Sequence, residues 1–450
     1  MRGGIRTLCC GFVVVVSIAG VIQADTASAA DLGGDCCSDL EERVAELEAT
    51  TARKGTRKVS FSISGFLSQQ VMYWDDGSES NVYVNGQGPD LASRFTFAGE
   101  AVISPGWKAG YQITISLDPA DALLADQNND DANTGISIIH SNWYLASERY
   151  GKLTVGMQSH ASDNAALDSD LSGTVIAANT VTFDGASFRL RPKGGLAGAA
   201  GLSTATWWDL AFFCQSTQLG IGGDCAGDRR NAVRYDTPSF GGLVLSASWG
   251  EDDFWDIAAR WKGKWEDFQL ALSGAYTSAT EDAFGDATYT QIGGFIKHNP
   301  TGLWVHALYG EEGAELPGTQ DDYHYYIKAG LTQNWVPLGA THIYGEYGQN
   351  RDMHASYPAG SGSLCADFFG IGGSISDACA SGVDTSVNLT GTEATRIGIG
   401  IVQDIDAASM QLWAKWRMHQ LEASFVDNGV AGKQKFEDFN MGIFGAIIFF

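Results

Sequence analysis

From Lys58 onward, apolar and polar residues alternate with a period of two, and the alternating runs are long. Val59, Phe61, Ile63, Gly65 and Leu67 interleave with Lys58, Ser60, Ser62 and Ser64. Trp107, Ala109, Tyr111, Ile113, Ile115 and Leu117 interleave with Lys108, Gly110, Gln112, Thr114 and Ser116, and the pattern recurs at 323–332 and 410–419. A period of two sends successive side chains to opposite faces of a strand. A tilted strand crossing a bilayer needs about 9–11 residues, whereas soluble strands cluster near about 5–6. The runs here reach membrane length. They predict an all-β fold: an antiparallel transmembrane β-barrel with one face in lipid and the other in water. Charged residues make up only 18% of the chain and mean hydropathy is −0.09, as expected when an apolar and a polar face cancel.

The connections between runs fall into two kinds. Tight ones are predicted at Pro105-Gly106, Tyr150-Gly151, 238–241, Lys262-Gly263-Lys264, 299–302, Val336-Pro337-Leu338 and Asp404-Ile405-Asp406. Between them lie mostly longer, polar or acidic connections at 75–91, 119–135, 160–228, 251–253, 279–286, 311–321, 351–391 and 425–434. Bacterial barrels have even strand numbers, with short turns on the periplasmic side and longer loops outside. The alternation predicts 16 strands over a barrel domain at 57–450, and a hairpin hidden in 160–228 would make 18.

Residues 1–30 read as a signal peptide. Arg2 and Arg6 precede an apolar core from Leu8 to Ile22, and Ala27-Ser28-Ala29-Ala30 supplies small residues for cleavage. An anchor helix is the competing reading, but the core is short for one. Residues 31–56 contain one convincing helical pattern: Leu40, Val44, Leu47 and Thr51 share a coiled-coil seam flanked by Glu and Arg. Two heptads are unstable alone, so this periplasmic segment makes sense where a trimeric barrel already holds copies together. A solvated linker helix is the alternative.

Net charge is −25, which excludes nucleic acid as a partner because phosphate binding needs a basic face. Acidic outer loops suit divalent cations shared with lipopolysaccharide. In an oxidising compartment disulfides persist. Two local staples are predicted, Cys214–Cys225 and Cys365–Cys379, since neither pair has CxxC spacing or a neighbouring His for a metal site. Cys36 and Cys37 are candidates for links between subunits.

A barrel of this size encloses more space than side chains fill, so its lumen holds water. Charge facing lipid near the midplane is costly, so strand charges point inward. By alternation the inward basic set is Arg94, Lys108, Arg230, Arg234, Arg260, Lys262, Lys328, Arg396, Lys415 and Arg417, with acids fewer and Asp118, Asp236 and Asp404 at strand ends. The wall is thus expected to be basic and the acidity to lie in loops. The 160–228 connection carries Asp163, Asp168, Asp170 and Asp184, then Arg189 and Arg191, and later Trp207 and Trp208. Folded outward it would expose its aromatic residues. Folded inward it narrows the lumen and opposes its acids to wall arginines; Arg189 and Arg191 fit either the acids or the wall. An outer lid is the alternative.

Residues 231–249 (NAVRYDTPSFGGLVLSASW) resemble the strand–turn–strand that follows the constriction loop in general bacterial porins, and 151–156 (GKLTVG) resembles the strand leading into it. The mature chain, including ERVAELEATTARKG and QQVMYWDDG, is similar to porins of alphaproteobacteria such as rhizobia and brucellae. The closing GAIIFF resembles the C-terminal aromatic assembly signal. The resemblance implies a homotrimeric diffusion pore for small hydrophilic solutes and ions, in the outer membrane of a Gram-negative bacterium, with its third loop folded inward. By position it puts Arg230 and Arg234 on the wall opposite Asp163, Asp168 and Asp170. The last strand departs from a simple pattern, being apolar on both faces (Ile443, Ile447 and Phe449; Phe444, Ile448 and Phe450).

No enzyme is expected: the histidines show no HExxH pairing and no Ser/His/Asp set stands out. The Asp126–Asp130 stretch lacks the later EF-hand positions, so neither metal nor cofactor is expected. Tyr73, Trp74, Trp107, Trp143, Tyr309 and Trp335 read as interface girdles. A sugar-selective channel would instead use such rings as stacking ladders, and an envelope tether would use 31–56 to bind peptidoglycan.

Overall fold

The computed structural model describes residues 58–450 apart from 89–90, 119–120, 133–134, 194–202, 204, 213–226, 228, 251–252, 281–286, 315–320, 354–386 and 428–429. The predicted signal peptide, the coiled-coil segment, and Cys36, Cys37, Cys214, Cys225, Cys365 and Cys379 lie outside the described residues.

The strands are β1 (Ser62–Asp75), β2 (Ser80–Asn85), β3 (Ser93–Ser104), β4 (Trp107–Asp118), β5 (Gly135–Ser147) and β6 (Gly151–Ser159). After a long connection come β7 (Arg229–Asp236), β8 (Leu243–Gly250), β9 (Trp255–Trp265), β10 (Phe268–Ala279), β11 (Ala287–His298) and β12 (Leu303–Ala314). The rest are β13 (Asp322–Val336), β14 (Gly339–Arg351), β15 (Val387–Ile405), β16 (Met410–Asp427), β17 (Val430–Lys435) and β18 (Phe439–Phe449).

These eighteen segments form a closed barrel of 16 staves. One edge of β1 pairs with β2 near its end (Asp75 opposite Ser80) and with β3 near its start (Ser62 opposite Ala98), so β2 and β3 are one interrupted stave. Likewise β16 pairs with β17 and then β18, which makes those two another. Each remaining stave pairs antiparallel with its sequence neighbour. Closure comes from β1 on β18, with Leu67 opposite Ile448 and Met72 opposite Ile443. The Phe450 and Gly65 amides exchange hydrogen bonds at 3.0 and 2.9 Å, extending the seam to the last residue.

Alternation reads out as faces. Phe61, Ile63, Leu67, Val71 and Tyr73 are exposed on β1 and before it, while Ser68, Gln70, Met72 and Trp74 are buried. The tight connection at Pro105-Gly106 is observed; Gly106 takes φ +78°, a left-handed conformation that glycine adopts without the Cβ penalty. Trp413 lies flat over Gly445 on the neighbouring stave, where any Cβ would collide with its ring.

Some expectations are corrected. Lys262-Gly263-Lys264 is strand rather than turn: β9 runs to Trp265 and the turn sits at Glu266-Asp267, with Glu266 at φ +50°. The 425–434 connection is mostly hairpin, since β16 and β17 pair from Glu422–Lys435 to Asp427–Val430, and β12 extends through Ala314 into the expected 311–321 loop. Trp74 is not in a girdle. It is 2% exposed and packs edge-on against Phe188 at 4.9 Å, because the inward row of β1 has an apolar partner inside the barrel. Inner apolar partners also explain the doubly apolar last strand: Ile443 joins the cluster of Trp74 and Phe188 and Ile447 a second one with Ala177 and Ala178, while Phe444, Ile448 and Phe450 are exposed outside.

Candidate functional site

The polar interior is shaped by the chain that follows β6, of which 160–193, Ser203 and 205–212 are described. It packs against the wall side chains of the inward row, beginning beside β8 to β10. His160 Nδ1 lies 2.6 Å from Asp256 Oδ2, which also accepts the Ser162 amide at 2.6 Å. The other oxygen of Asp256 accepts from the Ser248 hydroxyl, and Ser162 Oγ meets Thr277 Oγ1 at 2.7 Å. Gln291 of β11 then clasps the backbone, donating to Ser162 O and accepting from the Ala166 amide, both at 2.8 Å.

Next comes a run of ion pairs. Arg260 Nε donates to Asp168 at 2.7 Å. Lys328 Nζ donates to Asp170 and to Ala178 O, both at 2.7 Å, with the side chains of Lys328 and Asp170 both 0% exposed. Lys415 donates to Asp184 at 2.7 Å and to Ala177 O at 2.9 Å. Arg417 donates to Asp184 at 3.0 Å, to Thr182 O at 2.7 Å, and to both oxygens of Glu346 at 2.8 and 3.0 Å. Arg396 donates to the Asn179 and Thr180 carbonyls at 2.9 and 3.0 Å and lies over the Phe183 ring. Gln70 of β1 completes the cradle with a 3.2 Å bond to Asp184.

Burial alone would raise the carboxyl pKa of Asp170, but the Lys328 ammonium, His306 and the hydrogen bonds from Lys328 and Ser172 together outweigh it, and the pKa falls below the usual carboxylate value. Asp184 behaves alike: burial raises it, Lys415 and Arg417 lower it further, and the net direction is down. A buried charge persists only when paired and hydrogen-bonded, and both carboxylates meet that condition.

Beyond Asp184 the chain becomes apolar. Phe183, Phe188, Leu190, Trp207 and Leu210 form one buried cluster with Trp74, Phe439 and Met441 of the wall. Arg191 then pairs with Asp76 at 2.7 Å and Glu79 at 3.3 Å, so it faces the β1–β2 connection. Arg189 is exposed, and its amide and carbonyl bond the Gln127 side chain. Lys193 reaches Asp438 at 2.9 Å, and its amide bonds Lys435 O where β17 gives way to β18.

The remaining expected wall residues lie on the other side. Arg94 rests over Phe66 at 4.8 Å and Arg230 over Phe254 at 3.9 Å. Arg234 donates to Asp236 at 2.9 Å and to the Ser159 and His160 carbonyls at 3.1 Å. Lys108 pairs with Glu100 at 2.9 Å near the β3–β4 turn. Asp163 is nearly buried; its carbonyl accepts from Arg260 and its carboxylate from Asn164. The structure therefore gathers Asp170, Asp184, Lys328, Arg396, Lys415 and Arg417 into one buried assembly, and leaves Arg94, Arg230, Arg234 and Arg260 part-exposed elsewhere.

Inward acids beyond those expected at strand ends include Glu346, mid-strand in β14, while Asp256 and Glu312, near the ends of β9 and β12, are also buried on the wall. Glu346 shares the inward phase of Tyr344, so alternation could have found it. His160 and Gln291 carried no sequence signal.

A closed membrane-length barrel with a lipid-compatible outside and a charged interior has the architecture of an outer-membrane β-barrel protein. The chain belongs to the Gram-negative porin family, whose sequence model matches residues 12–374. No curated protein sequence matches it. Among solved structures it is similar to an anion-selective porin from Comamonas acidovorans, at 14% identity and a TM-score of 0.53, over 87% of this chain and 100% of that one. It is also similar to OmpT, an outer membrane protein of Vibrio cholerae, at 10% identity and a TM-score of 0.49, over 88% and 99% of the two chains. At such identities the first likeness supports the fold, and the channel assignment rests on the family.

Proposed function

We propose that this outer-membrane porin is a passive diffusion channel for small hydrophilic solutes, narrowed from within by the chain between β6 and β7. The observation that carries this reading is the buried assembly of Asp170 and Asp184 with Lys328, Lys415 and Arg417. It fastens a loop to the inner wall, away from both solvent and lipid. Lumen width and charged rings are how pores select. The cleaved signal at 1–30, the homotrimer, lipopolysaccharide contacts of the outer loops and the Cys214–Cys225 and Cys365–Cys379 bridges belong to the same proposal, supported by the residue patterns and by the resemblance to other bacterial porins. So does an alphaproteobacterial origin. The segment 31–56 is proposed to be periplasmic and to contact peptidoglycan.

Planar bilayers test it. Purified full chain should give stable, stepwise conductance, and liposome swelling with sugars of rising size should show a sharp cut-off. Silent bilayers would refute the channel, and a cut-off set by an unobstructed barrel would refute the narrowing. Removing 31–56 should leave conductance intact and weaken peptidoglycan retention.

A further inference from the structure

The seam of β1 with β18 is the one place where neighbouring staves are not consecutive in the chain. From Phe66 opposite Phe449 to Asp75 opposite Asn440, backbone pairing holds the two edges together and no turn joins them. A second layer lies across that seam from the inside. Three residues of the chain after β6 each hold both sides of it. Asp184 accepts from Gln70 of β1 at 3.2 Å and from Lys415 of β16 at 2.7 Å. Phe188, fully buried, packs on Trp74 of β1 with ring centres 4.9 Å apart and on Phe439 of β18 at 4.8 Å. The Arg191 guanidinium pairs with Asp76, just past β1, at 2.7 Å, and its carbonyl accepts from the Glu437 amide, just before β18, at 2.7 Å.

Flanking contacts fall on the same two sides. Gln87, ahead of β3, donates to Ile176 O at 2.9 Å. Lys193 reaches Asp438 at 2.9 Å, and its amide donates to Lys435 O at 2.7 Å. An opened seam would present two rows of unpaired N–H and C=O groups, which hydrocarbon does not satisfy. A ladder held only by its own pairs frays from its ends, because each released pair frees the next. Bonds that tie both edges to one segment oppose their separation directly. Narrowing a lumen calls for no bond to β1 or to Asp76, whereas holding the seam calls for contacts on both sides.

We propose that residues 176–193 are an internal strap that locks the β1–β18 seam, so that the resistance of the closed barrel to opening depends on this segment.

Hydrogen exchange of the folded full chain in detergent micelles tests it. The Phe188→Ala/Arg191→Gln double variant removes the side chains of two of the three two-sided residues and alters neither β1 nor β18. Amides of β18 should exchange about a hundredfold faster, the scale of truncating a buried ring beside a local opening, while those of β10 and β11 keep their wild-type rates. A disulfide across the seam from Val71→Cys/Phe444→Cys, a directly opposed and outward-facing pair, should return the β18 rates to those of wild type. A bridge from Ile296→Cys/Val305→Cys, opposed in the same way on β11 and β12, should not. Unchanged exchange in β18, equal acceleration in β10 and β11, or rescue by both bridges alike would overturn the strap. If the double variant gives no folded barrel, the bridges decide by the same rule. Heat-modifiable barrel recovered by the seam bridge alone upholds the proposal, and recovery by both or by neither overturns it.

Discussion

Asp184→Asn isolates the fastening of the inner loop. In the native chain the Asp184 carboxylate receives Lys415 at 2.7 Å, Arg417 at 3.0 Å and Gln70 at 3.2 Å, and the side chains of both cations are 0% exposed. Arg417 retains Glu346 after the substitution, but Lys415 is left as a buried cation facing an amide and the Ala177 carbonyl. Removing one partner of a buried pair costs about 3–5 kcal/mol. At tenfold per about 1.4 kcal/mol, the released state of the segment becomes between roughly 10² and roughly 4 × 10³ times more populated. The amides of Gly185 and Ser187, bonded to Ala122 and Leu123 carbonyls, report it. Their hydrogen exchange should accelerate by about that factor in detergent at neutral pH, with open-channel noise rising in parallel. Asp168→Asn is the comparison. Its carboxylate is 48% exposed, so loss of the Arg260 pair should cost at most about 1 kcal/mol. Unaltered protection of 185–187 in Asp184→Asn, or equal effects of the two substitutions, would refute the buried-clamp reasoning.

Acid should leave the inner loop in place over most of the pH range. Asp170 and Asp184 have folded pKa values below the ordinary carboxylate value, so their contribution is complete above about 3.9 and is lost as pH falls through the depressed values; conductance noise recorded from pH 8 to 3 should stay flat until below about 4. Trp207→Ala empties a 2%-exposed site in the cluster inside the barrel and should cost about 3–5 kcal/mol, read as a lowered thermal midpoint and faster exchange around 188 and 207. Deleting Phe450 removes the terminal pairing with Gly65 and the ring contact with Phe95, and the yield of heat-modifiable folded barrel on gels should fall.

The barrel was legible because lipid imposes a rule that leaves a period in the sequence. Phe61, Ile63 and Leu67 face outward as their phase requires, and the connections at Pro105-Gly106 and 299–302 carry glycines with positive φ. Stave ends were less legible. Lys262-Gly263-Lys264 has turn composition, yet near the end of β9 the exposed lysines reach water without leaving the strand. The interior was half legible. Phase put Lys328, Lys415 and Arg417 on the inner face, but it does not say whether an inward cation meets water or protein. That depends on the path of a loop whose partners lie up to hundreds of residues away, as Arg417 does from Thr182 and Asp184. His160 and Asp256 show the same limit: 96 positions apart, they meet only because the chain leaving β6 crosses the inside of the barrel to reach β9, three staves along the sheet.

Amine labelling of the intact protein tests most directly whether the inner loop covers the wall. A small water-soluble acylating reagent, applied to the folded protein and read by peptide mass spectrometry, should modify Lys108 and Lys433, whose side chains are 49% and 67% exposed. Lys328 and Lys415, at 0%, should stay unmodified until the barrel is denatured. Modification of Lys328 and Lys415 at the rate of Lys108 in folded, conducting protein would mean that the loop does not lie against β13 and β16, and the account would be wrong at its centre.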